Sequence, residues 1–129
     1  MTFSTESDVL HGMRVLVVED SYLIAYSVRR ILVELGCTVV GPVSTVTEAR
    51  RLIETDQCDA AILDINLGAE SSVPLAEMLS QRHTPFFFVT GYSSPALPLV
   101  EFNAYRRLRK PLTAASLRAA MVEDFVRKP

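Results

Sequence analysis

The sequence predicts an α/β fold, a doubly wound five-stranded parallel sheet with helices on both faces. Three observations predict it. Apolar runs at residues 13–18, 37–40, 60–65 and 85–89, with a fifth, more charged run at 104–109, are each the length of one strand. The central runs are continuous rather than alternating, the pattern of parallel strands buried on both faces. Stretches with apolar residues at helical spacing separate them, and strands alternating with helices imply crossover connections in a parallel sheet. Right-handed crossovers put every strand's carboxyl end on one rim.

Residues 1–12 are polar and without pattern, an extension that is either loose or docked as a short arm. The first strand, Met13-Arg14-Val15-Leu16-Val17-Val18, ends in Glu19-Asp20. Ser21 is placed to cap a helix carrying Ile24, Val28, Ile31 and Leu35, with Gly36 just past its end. Residues 37–42 read as a second strand closed by the Gly41-Pro42 turn. Thr45 or Thr47 opens a second helix with Ala49, Leu52 and Ile53 on one face. The third strand, Ala60-Ala61-Ile62-Leu63, runs straight into Asp64. A polar loop over 68–72 leads to a third helix over about 72–81, with Pro74 harmless in its first turn. Residues 85–89 form the fourth strand, ending at Thr90-Gly91-Tyr92. Pro95 and Pro98 make 93–98 a loop or a short irregular helix. The fifth strand, 104–109, suits a sheet edge because its charges block further pairing. Lys110-Pro111 ends it, and a last helix follows Thr113 with Leu117, Ala120 and Met121 inward.

At 129 residues and 49% hydrophobic, the chain is long enough to bury one core without disulfides or structural metal. Cys37 and Cys58 lack metal-ligand or redox spacing and read as reduced core residues. A net charge of −2 argues against general nucleic-acid binding. No apolar run approaches the length of a membrane span and no signal-peptide core precedes residue 11, so a cytoplasmic location is expected.

Asp is a poor strand residue and costly to bury. Taken singly, Asp64 could cap its strand, Glu19-Asp20 could serve a helix start, and Lys110 could be a surface lysine. Together Glu19, Asp20, Asp64, Thr90 and Lys110 end four strands at one rim, where doubly wound sheets bind ligands. Clustered carboxylates are driven toward protonation unless a cation sits among them, and Mg2+ suits oxygen donors and phosphate. A carboxylate can also be a nucleophile. Asp64 is the central candidate, with Mg2+, the Thr90 hydroxyl and the Lys110 ammonium placed to meet the oxygens of a transferring phosphoryl group.

The residues Val17-Val18-Glu19-Asp20, Leu63-Asp64, Val89-Thr90 and Lys110-Pro111 resemble the receiver domain of two-component response regulators over residues 13–128. The resemblance implies a receiver domain at 13–129 behind an N-terminal extension at 1–12, and strand order 2-1-3-4-5. It implies that Asp64 accepts the phosphoryl group. Asp20 would bind Mg2+ directly, Glu19 directly or through water, and the Asn66 backbone carbonyl would complete the protein ligands. Thr90 would be the switch hydroxyl, Lys110 the phosphate partner, and Lys110–Pro111 a cis peptide.

Two features depart from that pattern. The position three before the lysine, usually aromatic, holds Arg107, and Tyr105 lies two residues off with the same facing parity. Residues 85–92 are similar to the fourth strand of the FAT GUY group of single-domain receivers, with Val89 where that name has Ala. There Tyr92 either takes the aromatic switch role or packs as a plain turn tyrosine.

The function implied is that of a stand-alone response regulator, not an enzyme. A histidine kinase or histidine phosphotransferase would phosphorylate Asp64, docking at the rim and the first helix through Tyr22, Leu23 and Ser27. The chain would then switch an unknown output protein, or relay the group, through a face including Tyr105, Arg106 and Arg118. Two alternatives compete: a phosphorylation-independent interaction module, and an aspartyl-phosphate-type phosphatase. The latter needs an acid two residues past the nucleophile, where this chain has Asn66. A nucleotide-binding glycine turn is missing after the first strand.

Overall fold

The computed structural model describes residues 9–68, 70–91 and 105–126. In chain order these form β1 (Arg14–Val18), α1 (Tyr22–Glu34), β2 (Thr38–Val43), α2 (Val46–Glu54), β3 (Ala60–Asp64), a two-residue pair β4 (Asn66–Leu67) and β5 (Glu70–Ser71), α3 (Val73–Gln81), β6 (Phe86–Thr90), β7 (Arg107–Arg109) and α4 (Ala114–Met121). A π-helical turn, Val122–Val126, prolongs α4. Tyr92 and the 93–98 stretch lie outside the described residues.

The five-stranded sheet has the order β2-β1-β3-β6-β7, and every pairing in it is parallel. This is the doubly wound sheet, order 2-1-3-4-5 in its own strands, with helices on both faces. Strand parity sorts the core into two layers. Leu16, Val18, Ala61, Leu63, Phe86 and Phe88 face α2 and α3. Val15, Val17, Ala60, Ile62, Phe87 and Val89 face α1 and α4, where Val28, Leu32, Leu117 and Met121 meet them. The continuous apolar runs are therefore explained by burial on both sides. Leu10 is also fully buried in the second layer, so the end of the N-terminal arm is docked.

Three helices end in the same device, in which the amides of the two residues after the cap bond back to the last turn. Gly36 and Cys37 donate to Val33 and Leu32, Asp56 and Gln57 to Ile53 and Leu52, and His83 and Thr84 to Ser80 and Leu79. The left-handed position is Gly36 in the first, but Asp56 (φ 56°) and His83 (φ 58°) in the others.

The structure differs from the sequence expectation at three places. β2 does not close at Gly41-Pro42 but continues to Val43, with a register shift against β1 between Leu16 and Val18. Gly41 has φ +92°, and a Cβ there would lie 2.7 Å from the Val43 amide nitrogen, so glycine lets the strand bulge and go on. The polar loop after β3 is a hairpin, β4 pairing antiparallel with β5. The fifth strand is shorter at its start than 104–109. Tyr105 and Arg106 precede it, and pairing to β6 runs from Arg107 to Arg109.

Candidate phosphoacceptor and metal site

The rim site follows from where β1, β3, β6 and β7 stop. β1 pairs Val18 with Leu63 of β3, which sets Glu19 and Asp20 beside Asp64. β3 pairs Asp64 with Val89 of β6, next to Thr90. The Lys110 amide donates to the Thr90 carbonyl at 2.9 Å, extending the β6–β7 ladder by one bond and fixing the lysine at the same height. The Lys110–Pro111 peptide is cis, as is Gly41–Pro42. Glu19, Asp20, Asp64, Thr90 and Lys110 are thus all brought together.

Oxygens of Glu19, Asp20 and Asp64 lie within 4.8 Å of one another. Glu19 and Asp64 are buried and Asp20 is exposed. Lys110 Nζ bridges the two buried acids, 3.0 Å from Glu19 Oε1 and 3.4 Å from Asp64 Oδ2. Glu19 Oε2 accepts from the Ser21 amide at 3.1 Å, which ties its carboxylate to the start of α1. Burial, then the neighbouring Asp64 carboxyl, pushes the Glu19 carboxyl above its ordinary range, against the opposing pull of the Ser21 amide and Lys110. The Thr90 hydroxyl is buried and donates to the Gly91 carbonyl at 3.0 Å, a local bond that a better acceptor at the rim can replace.

The donor set fits a hard divalent cation. All three side chains offer carboxylate oxygens and one of them faces solvent. The Asn66 backbone begins β4, one residue past Ile65, so its position is set by the hairpin.

The loop before α2 borders the same rim. Together with α1, the end of β2 and the first turn of α2 it lines a cleft of about 560 Å³ through Tyr22, Tyr26, Arg29, Pro42, Ser44 and Glu48, beside Glu19 and Asp20. Tyr22, Leu23 and Ser27 are exposed on α1, with Tyr22 at 81% and Leu23 at 74%.

The aromatic candidates fare differently. Tyr105 stacks on Phe86, ring centroids 4.6 Å apart and planes at 11°, at the opposite end of β6 from Thr90. Arg106 is engaged by Asp124 of the π-helical turn at 2.8 Å, and Arg118 is half-buried. Sequence reasoning missed the contacts of Asp124 and Glu70, whose partners are distant in sequence, and that of Ser72 with Ile65 across the base of the hairpin. Gly68 offered the one visible signal of a tight turn there.

A family model for the response regulator receiver domain matches residues 15–122. The chain belongs to the receiver domain family. Among its relatives, the transcriptional regulatory protein YpdB of Escherichia coli strain K12 is 29% identical over 102 residues, 77% of this chain and 42% of that protein. The transcriptional regulatory protein PdtaR of Mycobacterium tuberculosis is 31% identical over 91 residues, 70% of this chain and 44% of that one. This receiver therefore spans less than half the length of those relatives. The solution structure of SdrG from Sphingomonas melonis Fr1 is 40% identical, with a TM-score of 0.78, covering 86% of this chain and 94% of that one. Receivers act in two-component signalling and bind Mg2+ at an acidic pocket, and this one has such a cluster. Among the described residues no helix is long and apolar enough to cross a membrane.

Proposed function

We propose that this receiver is a phosphoacceptor switch, phosphorylated on Asp64 by a histidine kinase or histidine phosphotransferase. The observation that carries the reading is the Lys110 ammonium spanning Glu19 and Asp64 inside a cluster of three carboxylates. In the transfer, an Asp64 carboxylate oxygen forms a bond to phosphorus as the nitrogen–phosphorus bond of the donor phosphohistidine breaks. The leaving imidazole keeps the electron pair. Mg2+, held by Glu19, Asp20, Asp64 and the Asn66 carbonyl, would supply charge neutralisation at the phosphoryl oxygens. Lys110 then has a phosphoryl oxygen to pair with in place of a bare carboxylate. Thr90 gains an acceptor better than the Gly91 carbonyl and turns toward it. The displaced Gly91 backbone and Tyr92 pass the change to the output face, which includes Arg106 and Arg118.

The stacked Tyr105 ring supports Tyr92 rather than Tyr105 as the reporting aromatic. The donor docks on exposed Tyr22, Leu23 and Ser27 beside the rim. The chain is not an enzyme in this reading, since Asn66 stands where a phosphatase of this chemistry needs its acid. It acts in the cytoplasm on a protein partner, without nucleic acid or membrane.

The test uses Mg2+ and beryllofluoride, a mimic of an acyl phosphate, followed by backbone amide NMR. Mg2+ alone should shift amides beside Asp20 and Asp64, a further shift at Thr90, Gly91 and Lys110 should need beryllofluoride as well, and Asp20→Asn should need far more Mg2+. Full beryllofluoride shifts in Asp64→Asn would remove Asp64 as the acceptor.

A further inference from the structure

The hairpin that follows Asp64 is held from outside by a residue the site itself does not use. Glu70, exposed on β5, reaches across to α2, where its Oε1 accepts from the Val46 amide at 3.2 Å. Val46 is the first residue of α2, and its amide is among the donors a helix start leaves without an internal partner. On the hairpin side, Glu70 pairs with Leu67 and Ser71 with Asn66. Leu67 is buried in the core layer under α2 and α3. Further bonds close the hairpin's base: Ser72 is fully buried and its hydroxyl donates to the Ile65 carbonyl at 3.2 Å.

The Glu70 contact is also one of two hydrogen bonds that tie the segments around the rim to one another. The Glu19 amide donates to the Val43 carbonyl at 3.0 Å, joining the loop after β1 to the last residue of β2. The Glu70–Val46 bond joins the first residue of α2 to strand β5 of the hairpin after β3. Gly68 lies at the tip of the hairpin with φ +63°. A Cβ placed there would stand 3.5 Å from Asp20 Oδ2. The hairpin tip therefore faces the exposed carboxylate of the cluster across a gap that one added carbon would fill.

The geometry points to Glu70 as a positioning residue for the metal site: its tether to α2 holds the hairpin so that the Asn66 backbone carbonyl and Asp20 keep the spacing a divalent cation needs. This rests on the proposed Mg2+ site. Glu70 touches neither the cation nor Asp64. It acts by removing freedom from the β4–β5 pair, whose two residues per strand are too few to fix a backbone on their own. Groups that orient metal ligands commonly set affinity by about tenfold or more.

Three variants in the full chain test this, read by Mg2+ titration and by hydrogen exchange of the hairpin amides without metal. Glu70→Ala should weaken Mg2+ by about tenfold and speed hairpin exchange. Glu70→Gln, which keeps an oxygen acceptor for the Val46 amide but no charge, should restore most of both. Thr45→Ala removes the other cap of α2, a hydroxyl that accepts from the Glu48 amide, and should leave both unchanged. The inference is overturned by unchanged exchange and affinity in Glu70→Ala. It is also overturned by equal loss in Thr45→Ala, which would make α2 stability the cause, or by Glu70→Gln behaving as Glu70→Ala, which would make charge the cause. Failure of wild type to bind Mg2+ would instead overturn the proposed function, and the exchange data would still judge the tether.

Discussion

Removing the Lys110 ammonium should destabilise the metal-free protein, and Mg2+ should restore much of the loss. Lys110 Nζ lies 3.0 Å from Glu19 Oε1 and 3.4 Å from Asp64 Oδ2, with side-chain exposures of 19%, 5% and 9%. At an effective dielectric near 20 the two attractions amount to about 5 kcal/mol each before desolvation is subtracted. In Lys110→Ala the two acids would face each other without a cation. Their cost is limited because the Glu19 carboxyl, already held above its usual range by burial and by Asp64, takes up a proton more readily still. Exposed pairs are worth about 0–1 kcal/mol and breaking a fully buried one costs about 3–5, so this partly open rim should lose about 2 kcal/mol at neutral pH. In Tm that is a fall of roughly 8 °C. The assay is urea unfolding followed by circular dichroism, first with chelator and then with saturating Mg2+. A cation among the carboxylates replaces the missing charge, so the gap between variant and wild type should narrow with Mg2+. An equal loss with and without Mg2+ would mean that Lys110 acts by packing. No loss in either condition would mean that the pairing carries no stability.

Two further outcomes follow from contacts away from the rim. Arg14 holds Asp59 at 2.9 Å, and that hydrogen bond keeps the Asp59 carboxyl below its ordinary range. A depressed carboxylate contributes stability that is present above its unfolded pKa and lost as pH falls through the folded one. Asp59→Asn should therefore lower stability at neutral pH by roughly 0.5 kcal/mol, since the pair is exposed, and flatten the loss in acid; an unchanged acid limb in pH-dependent unfolding would contradict this. At the end of α3, His83 occupies a left-handed conformation (φ 58°) that glycine adopts without strain. His83→Gly should stabilise the fold by about 0.5–1 kcal/mol in urea unfolding, and a loss of stability would show that the His83 side chain outweighs the strain.

The site was legible because it is made of strand ends. A strand buried on both faces leaves a continuous apolar signature, and the first acid after it must lie at the rim. The residues Glu19, Asp20, Asp64, Thr90 and Lys110 could thus be placed without knowing any contact, and Leu117, Ala120 and Met121 of α4 followed from spacing alone. Where the reading failed, local chemistry had two meanings. Gly41-Pro42 carries a turn signal, yet the positive φ of Gly41 allows a bulge and the strand continues to Val43. The β4–β5 hairpin has two residues per strand, too few for any period to show. The π-helical turn after α4 follows an ordinary helical pattern, and it brings Asp124 to Arg106 across eighteen residues, a contact no spacing rule contains. Glu70 escaped for the same reason, since its partner Val46 is twenty-four residues away.

The proposed function stands on Asp64 receiving the phosphoryl group. The direct measurement is to incubate the protein with Mg2+ and a small phosphodonor such as acetyl phosphate, then reduce with borohydride and map the product by mass spectrometry. Borohydride converts an aspartyl phosphate to homoserine. Homoserine should form at position 64, dependent on Mg2+, and should be missing in Asp64→Asn. Homoserine at another acidic residue, or a Mg2+-binding protein that forms no acyl phosphate from small donors or from any histidine kinase offered, would contradict it.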